Sequence, residues 1–238
     1  MLTGKTTRKS GVYHSDLGTF YIRKGTLDFQ FGNSAYEWNV KEFVNMHISK
    51  CNKFLDIGAN IGTYTILFGK AGLEGCSFEP VNENFNALKK NVELNNIKNK
   101  VKLFKLGLGE FSENDEFIFD PINTGATHLS SIDNPNAIKG KKEIVSIVPF
   151  DSIYSSCEFD TNKDTILMKI DVEGMELSVI KGAANFLKEF PEIIMVVETI
   201  HSGKENIKNE LLKIDKRFNF VEVDDLNMGV IKSSKRKN

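Results

Sequence analysis

The chain of 238 residues is short of several things, and each shortage excludes a class of protein. No apolar run approaches the ~20 residues of a membrane span, and Met1–Ser10 lacks the apolar core of a signal peptide, so a cytoplasmic protein is expected. Net charge is only −1, which argues against a general nucleic-acid binder while leaving room for a local basic face. The three cysteines, Cys51, Cys76 and Cys157, are odd in number and far apart. They read as free thiols in a reducing compartment, with no metal-site spacing. There is no internal repeat and no Cys/His cluster. What remains is the composition of a soluble globular chain, 40% hydrophobic and 26% charged, long enough for one core.

The stretch Phe54-Leu55-Asp56-Ile57-Gly58-Ala59-Asn60-Ile61-Gly62 organises the rest. It reads as a buried strand turning through glycines into a helix over about 61–71, with Gly58 and Gly62 where the backbone turns and a ligand comes close. Asp56 lies on the strand before the first glycine, where a pyrophosphate cradle has no use for an anion. A cofactor carrying a cationic sulfur and an ammonium group does have a use for it. A second strand, Gly75–Phe78, ends in Glu79-Pro80, and an acid there accepts ribose hydroxyls. The pair favours S-adenosylmethionine over NAD, which Glu79 alone would also suit. The cofactor-binding set is therefore Asp56, Gly58, Ala59, Asn60, Gly62, Glu79 and Pro80, with Leu106 and Gly107 after the third strand.

Along the chain, residues 11–31 alternate as one or two hairpins, with Leu27, Phe29 and Phe31 in the second. A helix over about 34–49 turns Trp38, Phe43, Val44 and Ile48 inward, and Tyr36 and Trp38 are expected to pack rather than to cover a cofactor. Three strand–helix units follow, the strands at about 54–57, 76–79 and 101–106 and the long helix at about 84–96. Alternation of this kind means right-handed crossovers and a parallel sheet. The rhythm breaks at about 110–164, a β-rich insertion with strand-like pieces at 117–119 and 144–148 and a Ser/Thr-rich patch at 124–131 that includes His128. Insertions at the ligand-facing end of a scaffold commonly shape the acceptor pocket. Alternation resumes with strand 166–170, one helix over 176–187, strand 193–197, helix 205–214 and a closing pair at 218–223 and 229–232. The basic tail 232–238 is expected to be solvated. The organisation expected is an N-terminal hairpin and helix (1–50) on a catalytic domain (51–238).

Ligands of open parallel sheets bind beyond the carboxyl ends of the strands. Two carboxylates, Asp171 and Glu173, leave the strand Leu167-Met168-Lys169-Ile170 beside Gly174, and Glu198 and His201 leave the next. These four are the catalytic candidates. Glu176 reads as a helix N-terminal acid. His201 has the chemistry to take a proton from a hydroxyl, with Asp171 or Glu198 orienting it, and Asp171 or Glu173 as base is the alternative. Asp171, Glu173 and Glu198 are oxygen donors of the kind Mg²⁺ takes, but no ligand spacing compels a metal, and none is expected.

The chain resembles the FkbM family of S-adenosylmethionine-dependent methyltransferases. The matching residues are Asp56-Ile57-Gly58-Ala59-Asn60-Ile61-Gly62-Thr63-Tyr64-Thr65, Glu79-Pro80 with Asn86 to Asn95, and above all Leu167-Met168-Lys169-Ile170-Asp171-Val172-Glu173-Gly174 with Lys181-Gly182-Ala183. Glu198 with His201 matches loosely, since the family more often places the histidine two residues after the glutamate. Arg23 and Asp28 around Gly25-Thr26, and Pro149-Phe150-Asp151, fit the flanking elements. The resemblance implies a Rossmann-like class I methyltransferase fold: a mostly parallel seven-stranded sheet with helices on both faces. It also implies O-methylation of a sugar, glycan or other small hydroxylated metabolite. Three rival readings are a nucleic-acid methyltransferase, a cofactor-binding module without catalysis, and an NAD-dependent oxidoreductase. The first lacks both a basic stripe and the Asn/Asp-Pro-Pro-aromatic motif, since Asp171-Val172-Glu173-Gly174 stands at that position. The retained acids argue against the second, and Asp56 against the third.

Overall fold

In the computed structural model, residues 6–120, 122–125, 128–129 and 141–234 are described. The elements run β1 (Gly11–His14), β2 (Thr19–Ile22), α1 (Asp28–Phe31), α2 (Trp38–His47), β3 (Lys53–Ile57), α3 (Thr63–Lys70), β4 (Glu74–Phe78), α4 (Asn82–Leu94) and β5 (Val101–Phe104). They continue with β6 (Gly107–Leu108), β7 (Glu113–Phe119), β8 (His128–Leu129), β9 (Lys141–Val148), β10 (Ile166–Ile170), α5 (Glu176–Gly182) and α6 (Ala184–Glu189). Last come β11 (Ile193–Glu198), α7 (Lys204–Ile214), β12 (Phe218–Glu222) and β13 (Asn227–Lys232).

The central sheet has seven strands in the order β12-β13-β11-β10-β3-β4-β5, and only β13 runs against the others. From β3 the chain steps outward through β4 to β5, then crosses back to place β10 on the other side of β3. That reversal opens a crevice at the carboxyl ends of β3 and β10. Alternate residues of the buried strands feed two cores. Leu55, Ile57, Met168, Ile170, Met195 and Val197 meet α5, α6 and α7 on one face. Phe54, Leu167, Ile194 and Val196 meet α2, α3 and α4 on the other.

The N-terminal hairpin joins the second core through Phe20 and Ile22. The open edge of β2 is closed by asparagines of α4: Asn91 Oδ1 accepts the Tyr21 N–H (2.6 Å) and Asn95 Oδ1 the Thr19 N–H (2.9 Å). Of the one or two hairpins expected over 11–31, one forms, β1–β2, and the chain at 28–31 is instead the helical turn α1. Thr26 Oγ1 accepts the Asp28 N–H at 3.2 Å and Arg23 grips the Asp28 carboxylate, curling the chain where alternation alone suggested a strand. Trp38, expected to face inward, is 57% exposed, because it opens α2 and the buried positions are Val40, Lys41, Phe43 and Val44.

The single helix expected over 176–187 is two helices. The second begins where the Asp151 carboxylate accepts the N–H groups of Asn185 (2.8 Å) and Phe186 (2.9 Å). The β-rich insertion forms its own sheet in the order β6-β9-β7-β8. Most of the patch at 124–131, the His128 side chain and the tail beyond Ser234 lie outside the described residues. Among the described residues no helix is long and apolar enough to cross a membrane.

One sequence expectation is corrected outright. Cys76 on β4 and Cys157 are joined as a disulfide, their Cα atoms 6.0 Å apart across 81 residues of chain, and Cys51 alone is free. Sequence separation does not limit spatial approach, and the fold returns the turn after β9 to the side of β4. The cysteine count therefore gives no argument for a reducing compartment.

Candidate active site

The crevice at the ends of β3 and β10 holds two cavities that share Gly58, Asn60, Gly125, Asp171 and Glu173. The narrower, about 50 Å³, is lined by Phe78, Glu79, Pro80, Leu106, Gly107 and Phe117. The roomier, about 180 Å³, is walled by Tyr36, Glu37, Asp56, Tyr64, Lys169 and Glu198. Of the sequence candidates, Asp56, Gly58, Ala59, Asn60, Glu79, Pro80, Leu106, Gly107, Asp171, Glu173 and Glu198 line one or both. Gly62 and His201 line neither.

The turn after β3 is built by backbone constraint. Gly58 (φ +82°) and Gly62 (φ +92°) are left-handed, and a Cβ on Gly58 would lie 1.8 Å from the Asp171 carbonyl oxygen. The closeness at Gly58 is thus to the neighbouring strand's backbone, and that at Gly62 is to Leu88 of α4. Among the described residues, five non-glycine residues have positive φ, and three of them (Glu37, Asn60 and Glu173) are cavity residues, so backbone strain concentrates at this site.

Glu79 is buried, and its carboxylate accepts the N–H groups of Asn60 and Val81, both at 2.9 Å. Burial pushes its pKa up to about 7 against the pull of those two amides and of Arg23. Lone pairs on both oxygens remain for further donors. Asp56, also buried, accepts the Thr65 hydroxyl at 2.5 Å; burial raises its pKa to about 6.

Lys169 belongs to the segment 167–174 that the sequence singles out, but it is not among the candidate site residues. It is 1% exposed in the middle of the otherwise apolar strand β10, paired in register with Asp56 of β3. Its ammonium donates to Asp171 Oδ2 at 2.9 Å and lies 3.8 Å from Glu37. Burial works against its charge, yet Asp171, Glu37 and Glu198 outweigh burial and hold its pKa above the ordinary lysine value. A lysine within an apolar parallel strand was the available signal, since a buried charge must be paired. Glu37, which accepts the Tyr64 hydroxyl at 2.7 Å, offered no such signal. Tyr36 packs edge-on against Phe31, as expected, and also walls the cavity. Lys41 on α2 is turned away, donating to the Tyr36 carbonyl, and burial lowers its pKa to about 8.

The expected partners of His201 differ from those found. Its Nε2 lies 3.4 Å from Glu173 Oε2, while Asp171 is engaged by Lys169. Burial, then Asp171 and neighbouring acids, push Glu173 up to about 8 and Glu198 up to about 9. Glu198 Oε2 is a buried oxygen with no hydrogen-bond partner among the described residues. Ligand atoms of Glu173, Glu198 and His201 lie within 4.8 Å of one another, close enough to share a cation. Glu176, by contrast, is wholly buried and bonded to the Gly174 N–H and the Ser202 hydroxyl, a structural acid in the turn as expected.

Comparison with known proteins bears on what such a crevice does. The hexuronic acid methyltransferase AglP of Haloferax volcanii is 30% identical over 149 residues, 62% of this chain and 55% of that protein. Methyltransferase 1 of Beauveria bassiana is 26% identical over 183 residues, 66% of this chain and 73% of that one. The crystal structure of methyltransferase FkbM from Methylobacillus flagellatus superposes with a TM-score of 0.53 at 20% identity, covering 76% of this chain and 43% of that chain, and so shares the fold. The chain spans about half the length of the first of these relatives. The profile described as the methyltransferase FkbM domain matches residues 56–226, most of the chain and nearly the whole crevice, and the protein belongs to the FkbM methyltransferase family.

Proposed function

We propose that the protein transfers the methyl group of S-adenosylmethionine to a hydroxyl of a sugar, glycan or other small hydroxylated acceptor. The observation that carries this reading is the pair of joined cavities at the switch point, one apolar with Glu79 at its edge, the other acidic. The first suits adenosine, with Glu79 accepting the ribose hydroxyls and Phe78, Pro80, Leu106, Gly107 and Phe117 around the base. The second suits the amino-acid part, near Asp56 and the turn 58–60, and beyond it the acceptor. The relative from Haloferax volcanii, a hexuronic acid methyltransferase by name, supports a sugar acceptor. A nucleic-acid acceptor is disfavoured by a net charge of only −1 and by Asp171-Val172-Glu173-Gly174 standing where the Asn/Asp-Pro-Pro-aromatic motif would be.

The bound cofactor supplies a methyl group activated by its positive sulfur. The chain must orient the acceptor hydroxyl and take its proton as the new C–O bond forms and the C–S bond breaks. We assign the base to Glu173 rather than to His201, which the sequence favours. Glu173 lines both cavities, whereas His201 stands behind it, partly open to solvent, placed to pass the proton outward. Lys169 holds Asp171 in place through their 2.9 Å contact.

Two measurements check this. Glu79→Ala is expected to weaken S-adenosylhomocysteine binding about a hundredfold by calorimetry, two hydrogen bonds to a charged acceptor contributing about 3 kcal/mol. Unchanged affinity in a folded variant would remove Glu79 from the site. The second is the pH dependence of single-turnover transfer to a sugar panel. The base works deprotonated, so the rate should rise with pH, half-maximal near 8 where Glu173 ionises, and level off above. His201→Gln should slow the rate but keep that rise, and Glu173→Gln should abolish it. A rise lost in His201→Gln and kept in Glu173→Gln would return the base to the histidine.

A further inference from the structure

The cofactor reading uses Glu79, but leaves unexplained why a buried carboxylate there should stay charged. A chain of contacts leads away from it. Glu79 Oε2 accepts the Asn60 N–H at 2.9 Å, and Thr124 Oγ1 donates to Asp28 Oδ1 at 3.2 Å while lying 3.4 Å from Asn60 Oδ1. Asp28, fully buried, is gripped by Arg23 through Nε at 2.7 Å and Nη2 at 2.8 Å, a bidentate pair. The third arm of the same guanidinium, Nη1, donates to Asn84 Oδ1 at 3.0 Å, and Asn84 Nδ2 donates to the Thr124 carbonyl at 3.1 Å. Arg23 thus ties the N-terminal segment, α4 and residue 124 of the insertion to the turn that carries Asn60.

We infer that Arg23 is a positioning residue of the cofactor site, fixing Asn60 through Asp28 and Thr124 while its charge acts on Glu79. The inference rests on the proposed role of Glu79 toward ribose. The electrostatic half follows from what surrounds that carboxylate. Asp56 on β3 opposes its ionisation, and Arg23, beside α1, favours it. Asp171 and Glu173 stand across the cavity. The charges near the start of α4 are spent in surface pairs, Lys141 with Glu83 and Lys105 with Glu143. Because ribose hydroxyls donate to the carboxylate form, a group that keeps Glu79 ionised extends cofactor binding to lower pH.

The experiment is calorimetric titration of S-adenosylhomocysteine into the full chain across about pH 6 to 8.5, spanning the ionisation of a raised carboxyl. In Arg23→Gln the midpoint of the pH dependence should move up by about one pH unit, the size expected for one opposite charge. Affinity near neutrality should then fall roughly fivefold, approach about a tenfold loss at the acid end and recover at the alkaline end. Arg23→Lys should keep the wild-type midpoint. An equal loss at every pH would show Arg23 to be merely structural and overturn the inference, as would an unchanged midpoint. Should Arg23→Gln not fold, Asp28→Asn carries the test in the opposite direction. It frees the guanidinium's charge, and its midpoint should move down; no movement overturns the inference equally. Glu79→Gln separates the two layers. Wild-type affinity there would dismiss the ribose assignment itself. A weakened, pH-flat Glu79→Gln beside an unshifted Arg23→Gln would dismiss only Arg23.

Discussion

Gly58→Val is expected to abolish S-adenosylhomocysteine binding and to cost the fold about 3 kcal/mol or more. Two effects add. The residue sits at φ +82°, where a β-branched side chain is strongly disfavoured. A Cβ would also lie 1.8 Å from the Asp171 carbonyl oxygen, which is backbone of the adjacent strand and has no rotamer by which to move aside. Relief requires β3 and β10 to part at the point where Asp171 N–H bonds the Ile57 carbonyl at 3.0 Å. From the sequence, Gly58 marks a turn conformation or a close approach that no side chain tolerates, and the variant is expected to lose cofactor with its secondary structure largely intact. The structure moves the expectation: for a chain of this size the thermal midpoint should fall by about 6–12 °C. A variant melting with the wild type and binding cofactor normally would refute this account of the turn.

Lys169→Met should destabilise by about 3–5 kcal/mol, because removing one partner of a buried ion pair strands the other. Here Asp171 loses its 2.9 Å donor, and Glu37 loses the ammonium 3.8 Å away. The pH dependence has a definite sign. The lysine's folded pKa lies above its unfolded value, so its stabilisation is complete below the unfolded pKa, near 10.4, and is lost only as pH rises through the folded one. Between about pH 5 and 8 that contribution is therefore constant in the wild type, whereas the variant's stranded acids shed their cost by taking up protons as pH falls. The stability gap between variant and wild type, from urea unfolding, should be larger at pH 8 than at pH 5. A gap independent of pH, or below about 1 kcal/mol, would mean that the acids are satisfied without the lysine.

Much of the fold was legible because it is written in local patterns. Continuous apolar runs such as Ile166–Ile170 are what buried parallel strands require, and helices between them leave little choice of topology. Reading failed where a distant contact outweighed a local preference. Alternation at 27–31 yielded to the Arg23 grip on Asp28, and the run 176–187 broke where Asp151, over thirty residues earlier, caps a second helix. The pairing of Cys76 with Cys157 had no local signature at all.

The site divides along the same line. The sequence by itself determined the glycine turn, the acids Asp56 and Glu79 at two strand ends, and the loaded segment 169–174, because strand, turn and strand-end position are properties of neighbouring residues. Only the tertiary structure decided which groups meet. It gave Asp171 to Lys169, set Glu173 against His201, brought Glu37 and Tyr64 to the wall of the second cavity, and left one oxygen of Glu198 without a partner among the described residues. Those outcomes turn on side chains from separate elements converging within about 4 Å, and on which buried charge reaches which, where interaction energies depend steeply on distance and on exclusion of water. Spacing along the chain does not encode that.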